Sequence, residues 1–275
     1  MARFHHTVSV TALDRAWFEE CAALALDVVE ATRTDPAGAL LEAGEKVPGV
    51  RLVRGRHLRA GARYTVTSAP SPTAPGRAPG APPATMTVRI REWRRSTGIA
   101  VEQQLTSADV TGRVALRLRT PDRPSALEAD LALRSPDGGL LRRVAGRARA
   151  DLASWWAAAE APAGTLPAAR APVTARARHP LGRAAVALTV RPADGGVWQV
   201  GVTLTVSGRA LVRPPAALAL LLFRIPLRRG FRSGVDEAAA WWNAALGKGL
   251  PPPGALRAEF TEAVITKDPA CEAPG

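Results

Sequence analysis

The chain has 275 residues, 47% of them apolar, 22% charged and 5% aromatic. That length suits one full domain plus a smaller one, and the apolar content supports a real core, which excludes disorder throughout. The formal net charge of +13 comes almost wholly from arginine, because Lys46, Lys248 and Lys267 are the only lysines.

Most of that charge sits in the second part: residues 161–258 carry thirteen basic side chains against Asp194, Asp236 and Glu237. Such a surface attracts anionic partners without choosing among them. With Cys21 and Cys271 as the only cysteines, neither a disulfide framework nor a cysteine metal site is indicated, and a reducing cytoplasm fits. The opening MARFHHTVSV lacks the apolar core of a signal peptide, and the longest apolar stretch, residues 216–223, is too short to span a bilayer.

In chain order, Phe4, His6, Val8 and Val10 share one phase of a half-buried strand. Thr11 or Asp14 can cap the helix that follows, with Trp17, Leu24 and Val28 at helical spacing. Residues 36–49, punctuated by Pro36, Gly38, Gly44, Pro48 and Gly49, read as short helix and loop.

Strands are expected near 50–59, 62–67, 86–94, 98–106, 110–119 and 125–134, with the last two alternating cleanly between apolar and charged residues. The Pro/Gly-rich run at 68–84 reads as an insertion between strands. A helix is expected over 140–159, with Leu141, Val144, Ala148, Leu152 and Trp155 on one stripe. The fold class that follows is α+β: a curved antiparallel sheet closing its apolar face on a long helix, with room between them for a ligand.

Residues 112–158 recur imperfectly at 182–244. GRVALRLRTPD resembles GRAAVALTVRPAD, and RRVAGRARADLASWWAAA resembles RRGFRSGVDEAAAWWNAA, so Trp155 and Trp156 correspond to Trp241 and Trp242. The expected division is a domain at 1–160, a hairpin-plus-helix half-repeat at 161–247 and a disordered tail at 248–275. The half-repeat lacks a counterpart of the first strand and helices, so it is expected to pack on the first domain, extend its sheet or pair with another copy, making a homodimer one candidate assembly.

At the first strand and helix, Val8-x-Val10-x-Ala12-x4-Trp17 resembles the opening of the START-type helix-grip (SRPBCC) superfamily; LRAGARYTV, TVRIREW, GRVALRL and the expected helix ending in Trp155 agree with it. The resemblance covers about 1–158 and implies a helix-grip fold around a hydrophobic ligand. The family includes both carriers and polyketide aromatase/cyclases, so fold does not fix function.

Polar residues on the apolar phase are candidates for orienting a ligand: His6, Tyr64, Glu92 and Gln103, among wall residues Met86, Val88, Ile90, Val101, Leu116, Leu131 and Trp155. Glu92 continues the series Met86, Val88, Ile90, where burial would raise its pKa for proton transfer, and His6 is a second acid/base candidate; each also has a structural explanation, as a solvated strand end or a hydrogen-bonded core group. His5, His6, His57 and His179 define no metal site, since His5 and His6 point to opposite faces, and no cofactor motif is present.

Residues 213–232 join an apolar run to Arg224, Arg228, Arg229 and Arg232, a composition able to meet an anionic membrane surface or to enter the core with its arginines solvated. Basic residues scattered on alternate strand positions, without stacked aromatics, argue against nucleic acid. The leading expectation is a cytoplasmic carrier of a small hydrophobic ligand that can touch membranes peripherally; the alternative is a cyclase or aromatase acting on a bound polyketide-like substrate.

Overall fold

A computed structural model describes residues 1–67, 85–106, 111–135, 139, 142–162, 170–208 and 224–257. The Pro/Gly-rich run, the apolar stretch at 213–223, Cys271 and the tail beyond 257 lie outside the described residues.

Strand β1 (Ala2–Thr11) leads into helix α1 (Arg15–Ala31), whose first turn is capped by Asp14 accepting from the Trp17 amide. A meander follows: β2 (Arg33–Thr34), β3 (Ala39–Glu42), β4 (Glu45–Arg54), β5 (Arg63–Thr67), β6 (Thr85–Arg94), β7 (Gly98–Thr106), β8 (Thr111–Arg119), β9 (Ala126–Arg134) and β10 (Arg143–Asp151). The short helix α2 (Leu152–Ala159) interrupts it before β11 (Val173–His179), β12 (Gly182–Ala193) and β13 (Val197–Gly208), and helix α3 (Arg224–Gly247) follows, with a helical turn at 253–257 within the expected disordered tail. The thirteen strands among the described residues form one antiparallel sheet in the order β2 to β13 with β1 beside β13, so the first strand pairs with the last. The class is α+β, as expected.

Two local expectations are corrected. Within 36–49, residues 39–42 and 45–49 are strand, because Ala43 (φ 50°) and Gly44 (φ 90°) make a tight turn with two left-handed residues that pairs Glu42 with Glu45. Alanine is an unusual occupant of that position, so the hairpin signal is hidden. Gly49, also left-handed, brings β4 so near β5 that a Cβ there would collide with the Thr67 carbonyl oxygen.

The second correction concerns 140–159, where the long helix is replaced by β10 and the eight-residue α2. Its sequence RVAGRARAD satisfies both periods, with Val144, Gly146, Ala148 and Ala150 also alternating against arginines. Pairing with β9 on one side and β11 on the other decides for the strand. At α2 the Asp151 side chain accepts from the Ser154 amide, while the Leu152 amide donates to the Ser125 carbonyl, fixing the turn from strand to helix. The long terminal helix is α3, and the strands after residue 170 extend the same sheet.

The register gives the sheet one apolar and one charged face. A row of Ile90, Val101, Leu116, Ala129, Ala148, Ala175, Val186, Leu204 and Phe4 crosses nine strands as direct neighbours. On the opposite face Glu102, Asp130 and Glu128 meet Arg91, Arg113, Arg147, Arg119 and Arg149 across strands. Burial by itself would raise the Glu102 carboxyl, but the hydrogen bond from Arg91 and the nearby Arg113 hold it below its ordinary range.

Helix α3 lies along β1. Phe231 packs on Phe4 with ring centroids 6.1 Å apart, His6 bonds Asp236 at 2.7 Å, and the Trp242 indole donates to the Thr11 carbonyl at 2.9 Å. Asn243, the only asparagine, accepts from the Thr11 amide at 2.7 Å and donates to the Ser9 carbonyl at 3.2 Å. These are backbone groups of an edge strand, so one side chain satisfies a donor and an acceptor that would otherwise invite another strand. Asn243→Ala is expected to lower stability by about 1–2 kcal/mol in urea titrations. Asn243→Asp, which keeps the acceptor and loses the donor, should fall between the two, and equal stability of all three proteins would remove the edge-capping role.

Candidate apolar cavity at the first and last strands

The largest buried cluster lies where β1, β12 and β13 meet the three helices: Val10, Trp156, Ala159, Val190, Trp198, Val200 and Ala239, with Phe18, Leu188, Trp155 and Trp242 packed around it. Aromatics are scarce in this chain, yet four of its seven tryptophans gather here. Trp198 receives Trp155 and Trp156 edge-on, at centroid distances of 5.9 and 5.7 Å, and Phe18 stands 5.8 Å from Trp156. Ring pairs at these distances and tilts are in the arrangement that aromatic side chains favour.

Between them is a cavity of about 370 Å³, bounded by β1 (Val8, Val10), β12 and β13 (Leu188, Val200, Val202), α1 (Phe18), α2 (Leu152, Trp155) and α3 (Val235, Ala238, Ala239, Trp242). Every lining residue is Val, Leu, Ala, Phe or Trp. The volume falls at the lower end of the range for small-molecule sites. Inside the wall the Trp156 Nε1 is buried with no hydrogen-bond acceptor. A void with this lining offers shape and dispersion contacts, with no charged group to steer chemistry.

Of the residues singled out in the sequence, Trp155 lines the cavity. His6 lies beside it: it is directly opposite the lining residue Val202 on β13, and its partner Asp236 follows the lining residue Val235 on α3. The His6 side chain is 23% exposed and that of Asp236 59%, which puts the pair at the solvent side of the cavity wall.

The remaining wall candidates share the apolar face but stand at the other end of the sheet. Tyr64, Val88 and Gln103 are neighbours in one row with Leu131 two strands further on, and Ile90, Val101 and Leu116 form the next. Met86 begins a third row opposite Val66 and Leu105. Ala62, Tyr64 and Ile90 are the buried centre of a second cluster with Val88 and Val101, separate from the cavity.

Glu92 is turned away. A bulge between Ile90 and Glu92 shifts the register, so Glu92 faces Ala100 and meets Arg117 at 3.2 Å on the charged side. Trp93 takes its place on the apolar phase and donates to Glu30 of α1 at 2.8 Å. The alternation carrying the expectation that Glu92 is buried ends one residue too early.

Arg228, Arg229 and Arg232 are exposed on the N-terminal half of α3, beside Ile225 and Leu227, 66% and 44% exposed; α3 begins at Arg224. Among the described residues no helix is long and apolar enough to cross a membrane.

Sequence reasoning did not single out Leu188, Trp198, Val200, Val202, Val235 or Ala239. The signal pointing to them was the doubled tryptophan pair: Trp155–Trp156 and Trp242 converge on one site from two helices, although Trp241 is 72% exposed.

No family model and no curated protein matches the chain. Among solved structures it aligns with the crystal structure of the di-domain ARO/CYC BexL from the BE-7585A biosynthetic pathway, at 11% identity over 100% of both chains and a TM-score of 0.19. A superposition that poor carries no argument about fold or function.

At the far cluster, Tyr64 and His57 form a polar chain. Thr32 donates to the Val29 carbonyl at 2.6 Å and so accepts from His57 Nε2 at 3.0 Å; the Tyr64 hydroxyl accepts from the Leu58 amide at 2.8 Å and donates to His57 Nδ1 at 2.9 Å. Each group is satisfied only with His57 neutral and protonated on Nε2. Burial lowers the His57 pKa, outweighing the opposite pull of its Thr32 contact, and burial raises that of Tyr64.

A histidine pKa depressed in the folded state stabilises the fold above its unfolded value of about 6.5, and that contribution is lost as pH falls through the folded value. The urea midpoint of the wild type should therefore drop on going from pH 7 into the range below about 6.5. In His57→Gln that drop should be smaller; parallel profiles would show that His57 does not carry it.

Proposed function

We propose that this protein binds and carries a small hydrophobic ligand in the cavity at β1, β12 and β13, with α3 as the gripping helix. The carrying observation is the lining: a void of about 370 Å³ bounded only by apolar side chains, in a chain otherwise rich in arginine. An apolar cavity gains by being filled with an apolar guest, because its walls lack partner atoms on one side. The chain order of strand, helix, meander and terminal helix supports the grip, since it returns α3 to β1 and places both beside β13. The exposed Arg228, Arg229 and Arg232 with Ile225 and Leu227 support delivery at an anionic membrane surface.

The test uses N-phenyl-1-naphthylamine, an uncharged fluorophore, titrated against the purified chain with tryptophan emission as donor. Saturable binding with energy transfer is expected, and native mass spectrometry should find copurified apolar ligand. Ala239→Trp places an indole in the void and should weaken binding at least tenfold while keeping the circular dichroism spectrum. An absence of binding, or unchanged binding by Ala239→Trp, would contradict the proposal.

One observation favours a second reading, a polyketide cyclase or aromatase-type enzyme: the 2.7 Å His6–Asp236 pair beside an apolar cavity. A carboxylate partner fixes the orientation of an imidazole, which proton transfer to a folded polyketide chain requires. In that reading His6→Gln loses turnover of a poly-β-ketone surrogate with its affinity retained. Equal turnover by wild type and variant would leave His6 a structural link between β1 and α3.

A further inference from the structure

A second concavity, of about 700 Å³, lies away from the apolar cavity, at the strand ends of β7 to β11. Its lining contains two complete rows of the charged face. One row runs Thr106, Thr111, Arg134, Arg143, and the other Gln104, Arg113, Ala132, Ala145, Arg178. The intervening row, Leu105, Gly112, Leu133 and Val144, belongs to the same lining, with side chains on the alternate phase of the strands. Ala132 and Ala145 thus make a small-residue floor ringed by four arginines, with two hydroxyls and an amide at one side.

The charges in this ring are unbalanced. Arg134 and Arg143 are direct cross-strand partners, an arrangement of like charges that destabilises a sheet unless something neutralises it. Arg178 likewise faces Arg183 on β12. Elsewhere on β8 and β10 the arginines of this face meet carboxylates: Arg147 bonds Asp130 at 2.6 Å, and Arg149 and Arg119 share Glu128. Among the described residues Arg113 has Glu102, whereas no carboxylate partners Arg134, Arg143 or Arg178. Long side chains on both floor positions would have filled the space; alanines leave it open to a guest.

We propose that this concavity is an anion site for a ligand carrying several phosphate groups, held by Arg134, Arg143 and Arg178. Guanidinium forks match phosphate oxygens two at a time, and Thr106, Thr111 and Gln104 add neutral donors. A recess bounded by two rows of side chains suits a discrete multiply phosphorylated group better than an extended backbone. The same chemistry is offered by a soluble polyphosphate and by a phosphoinositide headgroup.

Calorimetric titration with tripolyphosphate, flotation with vesicles containing 5% phosphatidylinositol bisphosphate and titration with a single-stranded oligonucleotide test the site and separate its sources. Tripolyphosphate binding is expected, with Arg143→Gln and Ala145→Glu each weakening it at least tenfold and Arg191→Gln, on the same face at the far end of β12, leaving it unchanged. Removing one of two opposed arginines should leave thermal stability equal or higher, so a lost site is distinguishable from a lost fold. Vesicle binding lost in the same two variants identifies a lipid headgroup as the source; its absence with tripolyphosphate binding retained identifies a soluble ligand. Failure of tripolyphosphate to bind, an equal loss in Arg191→Gln, or oligonucleotide binding lost in the same variants at higher affinity than tripolyphosphate would overturn the proposal.

Discussion

The pairing of β1 with β13 is the interaction on which the rest of the molecule depends. It joins residues about two hundred positions apart in ten consecutive cross-strand pairs, from Ala2 with Val206 to Thr11 with Val197. Without it α3 has nothing to lie on, because its contacts run to Phe4, His6, Ser9 and Thr11. The cavity would disappear with it, since Val8 and Val10 form one wall and Val235, Ala239 and Trp242 the opposite one. A contact closing so long a loop carries a large entropic cost, and the buried aromatic cluster beside it supplies the compensating apolar burial.

The two faces of the sheet divide the chemistry. One phase of the strands is mostly apolar, and the helices collect over that face at the β1, β12 and β13 end, beside rings standing edge-on. The other face is laced by arginine–carboxylate pairs from β6 to β10, but the acidic partners run out toward β11 and β12, whose strands carry Arg176, Arg178, Arg183 and Arg191 and no Asp or Glu. Strand alternation thus separates an apolar cavity from a cationic recess.

Strands β6 to β9 were legible in the sequence to within a residue or two, because β8 and β9 alternate cleanly and turn residues flank the set. The hairpin at 42–45 was hidden by an alanine where glycine or asparagine is usual. The segment 143–151 was hidden because alanine and arginine suit a helix as well as a strand, and only its two neighbours decide. The site was half legible: the shared phase of Tyr64, Val88, Ile90, Val101 and Leu116 was readable, but which end of the sheet receives the helices depends on the return of β1 to β13. Periodicity within one strand carries no information about that. A single bulged residue likewise turned Glu92 to the charged face, a local irregularity that a period of two does not announce.

Xenon-pressurised crystals probe the cavity without presuming its ligand, because xenon enters dry apolar voids of any origin. A xenon peak enclosed by Trp155, Trp198 and Trp242, between β13 and α3, is the expected result. A structure in which those indoles meet one another and leave no xenon there would contradict it.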